Sequence, residues 1–299
     1  MPGEESPRYQ EYSVFVKSTF ATVAVLASLA GTAVLPAQAE APKPASAVVG
    51  QPLAQAHAHN DYEHDRPLFD ALEHGFTSVE ADVWLVGGEL LVAHDLEDVQ
   101  PGVTLESLYL DPLQDLVRSQ PGHSVYPKWD GSLQLLIDIK SEAEATYAAI
   151  EQELAEHRDI MSRYSHGATK SGPVTAVISG NRPLATMQAQ DKRFSFYDGR
   201  SSDLTSGKSA GLMPLVSDNW TRLFTWQGAG PMPEAERAKL HAYVAEAQAN
   251  GYRVRFWAPP DTAGPAREAV WKELFDAGVD HINTDDLAAL QQFLTARTA

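Results

Sequence analysis

The heptapeptide S-V-E-A-D-V-W, Ser78 to Trp84, sets two carboxylates two residues apart in an otherwise apolar and β-branched run. In an extended chain alternate side chains share a face. Glu80 and Asp82 therefore point one way, and Val79, Ala81 and Val83 the other. Such a strand either shows its acids to solvent at a sheet edge or lines the open end of a closed barrel, where no edges exist. The flanking sequence decides for the barrel. Short apolar or β-branched runs recur at Ala54–His59, Ser78–Trp84, Leu133–Ile139, Val174–Ser179, Phe194–Tyr197, Leu212–Ser217, Arg253–Trp257 and His281–Thr284. Helical patterns separate many of them, at Pro67–His74, Thr104–Arg118, Glu142–His157, Glu234–Asn250, Ala266–Ala277 and Asp286–Thr295. Glu89–His94, after Gly87-Gly88, reads as a hairpin arm returning from the second strand. About eight strand–helix alternations over roughly 250 residues is the pattern of an α/β protein of the (β/α)8 TIM-barrel class, here as a single domain over 54–299. The competing open, doubly wound sheet lacks its usual G-x-G-x-x-G turn after the first strand.

Composition narrows the function. The 299 residues carry 40 acidic against 23 basic side chains, a formal net charge of −17, with 43% apolar residues and no cysteine. So acidic a chain is a poor partner for nucleic acid or an anionic membrane, and any phosphate site must invert the field locally. The absence of cysteine excludes disulfides and thiolate zinc sites. No charge falls between Lys17 and Glu40, and Ala37-Gln38-Ala39 supplies a small-x-small cleavage pattern. Residues 1–39 are thus expected to be a signal peptide and the Ala/Pro-rich 40–53 a linker. The mature chain would be secreted, or extracytoplasmic, with no stable transmembrane anchor.

In a barrel, the C-terminal strand ends carry the chemistry. Glu80 and Asp82 converging there would raise each other's pKa unless a cation lay between them. A hard divalent cation, Mg²⁺ or Ca²⁺, suits oxygen donors. In L-L-I-D-I-K, Asp138 and Lys140 share a face. Asp138 completes a three-carboxylate set, and Lys140 is either a point charge for phosphate or a structural partner of Asp138. In A-H-A-H-N-D-Y, Ala56 to Tyr62, His57 and His59 also share a face. They read as a metal pair, a base with a neighbour, or polar filling. His94, on the returning hairpin, offers a second imidazole, and phosphodiester cleavage needs one base and one acid.

The order His59, Glu80-x-Asp82, His94-Asp95, Asp138-x-Lys140 resembles the glycerophosphodiester phosphodiesterase and phosphatidylinositol-specific phospholipase C-like superfamily. With P-L-F-D-A-L and G-F-T-S-V-E-A-D-V-W-L the pattern looks closest to its altered-inheritance-of-mitochondria branch. Gly278–Leu287 and R-F-W-A-P-P are similar to the family's last and seventh strands. The resemblance implies a TIM-barrel, metal-dependent phosphodiesterase acting on a small-molecule or lipid phosphodiester. It implies His59 and His94 as the acid–base pair, Glu80, Asp82 and Asp138 as metal ligands, and Lys140 as a phosphate contact. His57, Asn60, Arg182 and Trp257 are the further expected substrate contacts. Two departures stand out. Asn60 replaces the usual arginine, and Asp138 replaces the usual glutamate. Arg66, Arg182 and Arg200 are candidates for the vacated anion contact, and each also reads as a surface ion pair. Two rivals are an amidohydrolase-like metal hydrolase using His57 and His59 as ligands, and a barrel that binds without catalysis, with the aromatic loop Asp218–Trp226 as its surface.

Overall fold

Eight parallel strands close on themselves in the computed structural model, which describes residues 49–298. The expected signal peptide and most of the linker lie outside the described residues. The chain enters as β1 (Leu53–Ala58), passes the short helix α1 (Phe69–Glu73), and rises through the long β2 (Phe76–Val86). Gly87 and Gly88, both at positive φ, make the tight turn into the antiparallel β3 (Glu89–Val92). A wide π-type turn over Glu106–Leu110 leads into α2 (Asp111–Ser119), so the regular helix starts later than the apolar pattern at Thr104 suggests. Then come β4 (Leu133–Ile139) and α3 (Ala143–Glu156), whose first turn is capped by the Glu142 carboxylate on the Glu144 and Ala145 amides.

Two short strands, β5 (Arg163–Ser165) and β6 (Ala168–Lys170), precede β7 (Val174–Gly180). After α4 (Leu184–Ala189), β8 (Lys192–Arg193) joins β5 and β6 in a small antiparallel sheet that the sequence pattern did not reveal. Next is β9 (Ser195–Gly199). Only a 3-10 turn, Ser201–Asp203, and loop separate it from β10 (Leu215–Asn219), which begins three residues later than expected. The circuit ends with α5 (Trp220–Leu223), α6 (Glu234–Ala249), β11 (Arg253–Trp257), α7 (Pro265–Asp276), β12 (His281–Thr284) and α8 (Leu287–Thr298). The barrel order is β1-β2-β4-β7-β9-β10-β11-β12, and β12 pairs back onto β1.

Strand alternation divides the interior. Leu136, Val177, Phe196 and Leu215 form an apolar plug, with Tyr164 of the small sheet packed against it. The opposite half is polar, with His57, Ser78, Gln134, Arg255 and Asn283 all buried. Further along the same faces of β2 and β4, toward the C-terminal mouth, come Glu80, Asp82 and Asp138. Among the described residues, no helix is long and apolar enough to cross a membrane.

Candidate active site

Register brings the acids together. Asp82 on β2 lies opposite Asp138 on β4, and Asp138 lies opposite Ser179 on β7. Glu80, Asp82 and Asp138 each offer an oxygen, all within 4.8 Å of one another. The Lys140 ammonium reaches Asp82 Oδ2 at 3.0 Å and Asp138 Oδ1 at 3.3 Å. Tyr62 donates its hydroxyl to Asp82 Oδ2 at 2.7 Å. Asp82 Oδ1 is buried with no hydrogen-bond partner. Burial, then the Glu80 charge, push Asp82 up to about 7. Burial raises Asp138 as well, with Lys140 opposing it. Asp82 and Asp138 stay raised despite the Lys140 ammonium beside them, and the hard oxygen donors of the group fit a divalent cation.

Glu80 behaves differently. Burial alone would raise its pKa, but the Arg255 charge and the His57 hydrogen bond hold it well below the usual range. Arg255 Nη2 donates to Glu80 Oε2 at 2.5 Å and to Asn283 Oδ1 at 2.6 Å, with Nε on the same amide oxygen at 2.9 Å. Arg255 was not picked out from the sequence. The parity of R-V-R-F-W places it on the face of Trp257, which is the signal that finds it.

The two histidines of the opening strand are not equivalent. His57 is 0% exposed. Its Nδ1 is 2.7 Å from Ser78 Oγ and its Nε2 is 3.2 Å from Glu80 Oε2. Burial, then the Arg255 charge, lower its pKa to about 3. The expectation that His57 touches substrate is therefore corrected: both ring nitrogens are engaged and no solvent reaches it. The same engagement removes the paired-ligand role of the amidohydrolase reading. His59 sits at the mouth, with Nδ1 2.7 Å from Asp285 Oδ1. Burial lowers its pKa, but the Asp285 hydrogen bond together with the Glu80 and Asp285 charges outweighs this and the net shift is upward. With Nδ1 bonded to that carboxylate, Nε2 is left for a proton in transit.

Other expected residues are placed less centrally. His94 is exposed and pairs with Asp95 at 3.2 Å, making no bond to the carboxylate group. Its neighbour Ala93 is tied to the Asp82 carbonyl, which keeps the hairpin arm beside the acidic strand. Asn60 adopts a left-handed conformation, with its amide 3.4 Å from Glu63 Oε1. Arg66 is a surface residue held by Asp70 and Glu73. Arg182 lies over the Tyr197 ring at 4.9 Å, and among the described residues it has no carboxylate within ion-pair distance. Arg200 is bound by buried Asp198 at 2.6 Å and by Ser179 and Ser217. Trp257 is half-buried, with the Arg222 guanidinium 5.8 Å from its ring. Trp220, Phe224 and Trp226 are buried, so the aromatic loop packs over the barrel rim and offers no open apolar surface.

A closed barrel whose mouth carries this ordered set of residues has the make-up of a phospholipase C-like phosphodiesterase. The sequence comparisons agree. The AIM6-like phosphodiesterase domain matches residues 50–198, and the glycerophosphoryl diester phosphodiesterase family matches residues 253–288. "Altered inheritance of mitochondria protein 6" of Eremothecium gossypii is 33% identical over 270 residues, covering 81% of this chain and 69% of the relative. The homologue from Arthroderma benhamiae is 28% identical over 260 residues, covering 79% and 82%. Among solved structures, a glycerophosphodiester phosphodiesterase from Parabacteroides distasonis aligns at 17% identity and a TM-score of 0.49, covering 84% of this chain and all of that one. The chain belongs to the altered inheritance of mitochondria protein 6 family, within the phospholipase C-like phosphodiesterase superfamily.

Proposed function

We propose that this chain is an exported, metal-dependent phosphodiesterase that cleaves a glycerophosphodiester or phospholipid-type phosphodiester. The observation that carries this reading is the carboxylate group Glu80, Asp82 and Asp138 beside the His59–Asp285 pair at one barrel end. Asp82, Asp138 and the free oxygen of Glu80 would hold Mg²⁺ or Ca²⁺, which when bound neutralises charge on the non-bridging phosphate oxygens. Arg255 offsets one carboxylate and Lys140 a second, so the site is nearly neutral before a cation and slightly positive after it. That local balance admits an anion despite the overall charge.

His59 exchanges a proton at Nε2, and Asp285 is its positioning residue. His94 is assigned the second proton transfer from its place on the arm beside Asp82. Lys140 and Arg182 are the phosphate contacts, Arg182 taking the place vacated at Asn60. Either water or a substrate hydroxyl is the nucleophile. A panel of glycerophosphodiesters and phospholipids, with phosphorus NMR of the products, distinguishes direct hydrolysis from a cyclic phosphate and identifies the head group. His59→Ala and His94→Ala should each abolish cleavage, and intact turnover in both would refute the acid–base assignment.

A further inference from the structure

The small antiparallel sheet beneath the barrel is basic in a chain that is otherwise strongly acidic. Arg163 on β5 pairs across to Lys170 on β6, Tyr164 to Arg193 on β8, and Ser165 to Lys192. The run Arg163 to Lys170 contains no acidic residue. Between this sheet and the loop leading to β10 lies a cavity of about 240 Å³, lined by Tyr164, Gln188, Arg193, Lys208 and Ser209 among others, with no carboxylate in its wall.

Arg193 is the unusual member. It is 3% exposed and, among the described residues, has no carboxylate within ion-pair distance. Its guanidinium is stacked 4.1 Å from the Tyr164 ring centre and 5.6 Å from that of Phe196. One nitrogen, Nη2, donates to the Gly211 carbonyl, while Nε is buried without a partner. A buried guanidinium is costly unless an anion answers it. Nearby acids are already engaged. Glu151 accepts from the Phe194 amide and Ser195, and Asp203 accepts from Lys208 at 2.8 Å and from the Arg200 amide.

We propose that this cavity is an anion site, separate from the catalytic mouth, that takes a phosphate monoester group through Arg193 and Lys208. The Ser209 and Tyr164 hydroxyls and the Gln188 amide supply neutral donors for the remaining oxygens. The site does not depend on the catalytic reading. The group arrives either on a free small molecule or on an anionic lipid head group, and both present the same oxyanion.

The test is calorimetric titration of inorganic phosphate into the full chain carrying Lys140→Ala and Arg182→Ala, which removes both phosphate contacts proposed at the mouth, with and without Gln188→Glu. Gln188 is exposed, so the substitution places a carboxylate in the cavity wall without disturbing the core. Phosphate should bind, and Gln188→Glu should weaken it by about tenfold or more. Arg193→Met should do the same if it folds. Flotation with phosphatidic acid vesicles, against phosphatidylcholine alone, separates the two sources: capture that Gln188→Glu abolishes assigns the lipid, and phosphate binding without capture assigns the free ligand. Neither phosphate nor vesicle binding, or binding that Gln188→Glu leaves unchanged, overturns the site.

Discussion

His59 owes its elevated proton affinity first to the hydrogen bond with Asp285, with the Glu80 charge adding to it. Asp285→Asn removes that charge, so the His59 pKa should fall. The limb of the pH–rate profile that reports His59 should move to lower pH, with turnover reduced by roughly tenfold or more. An unmoved limb would mean that His59 does not titrate in the reaction. Arg255 is coupled as tightly to Glu80. Removing it by Arg255→Met leaves Glu80 buried beside only a neutral imidazole, and should cost about 3–5 kcal/mol in urea unfolding. Arg255→Lys should recover part of that loss.

At the level of elements, the turn after β1 is fixed by Asp61. This wholly buried carboxylate accepts from the Leu68 amide at 2.5 Å and the Tyr109 hydroxyl at 3.0 Å, joining β1 to the start of α1 and to the turn before α2. Burial pushes it up to about 7. Because the folded form holds its proton more tightly than the unfolded chain, stability from this group is complete below about pH 4 and is lost as pH rises toward 7. Asp61→Asn should flatten that decline in melting temperature; an identical pH dependence in the variant would contradict it. The close of β7 carries another constraint. Gly180 has φ +64°, and a Cβ there would lie 2.4 Å from Asp138 Oδ1. Gly180→Ala should destabilise by about 1 kcal/mol and weaken cation binding by displacing Asp138.

All eight barrel strands were legible in the sequence because each is an apolar or β-branched run of ordinary length. Leu133–Ile139, Arg253–Trp257 and His281–Thr284 match residue for residue. The small sheet was not legible, since β5, β6 and β8 are two or three residues long and polar, and exist through pairing across the chain. The three carboxylates and Lys140 could be read from alternation on two strands. The Arg255–Glu80 and His59–Asp285 pairs join residues 175 and 226 positions apart, and local pattern does not encode which strands face one another.

Over the whole molecule, the barrel gathers three carboxylates, answered in part by Arg255 and Lys140, at one end and a basic sheet at the other, within a chain of formal charge −17. Binding of a divalent cation at the mouth should raise the melting temperature, since it links selectively to the folded state. The most direct measurement is cleavage of a chromogenic phosphodiester by the purified chain before chelation, after chelation, and after Mg²⁺ or Ca²⁺ is returned. Cleavage that stops with chelator, resumes with the cation, and is lost in Asp138→Asn is the expected result. No cleavage, or turnover indifferent to chelator, would contradict a metal-dependent phosphodiesterase.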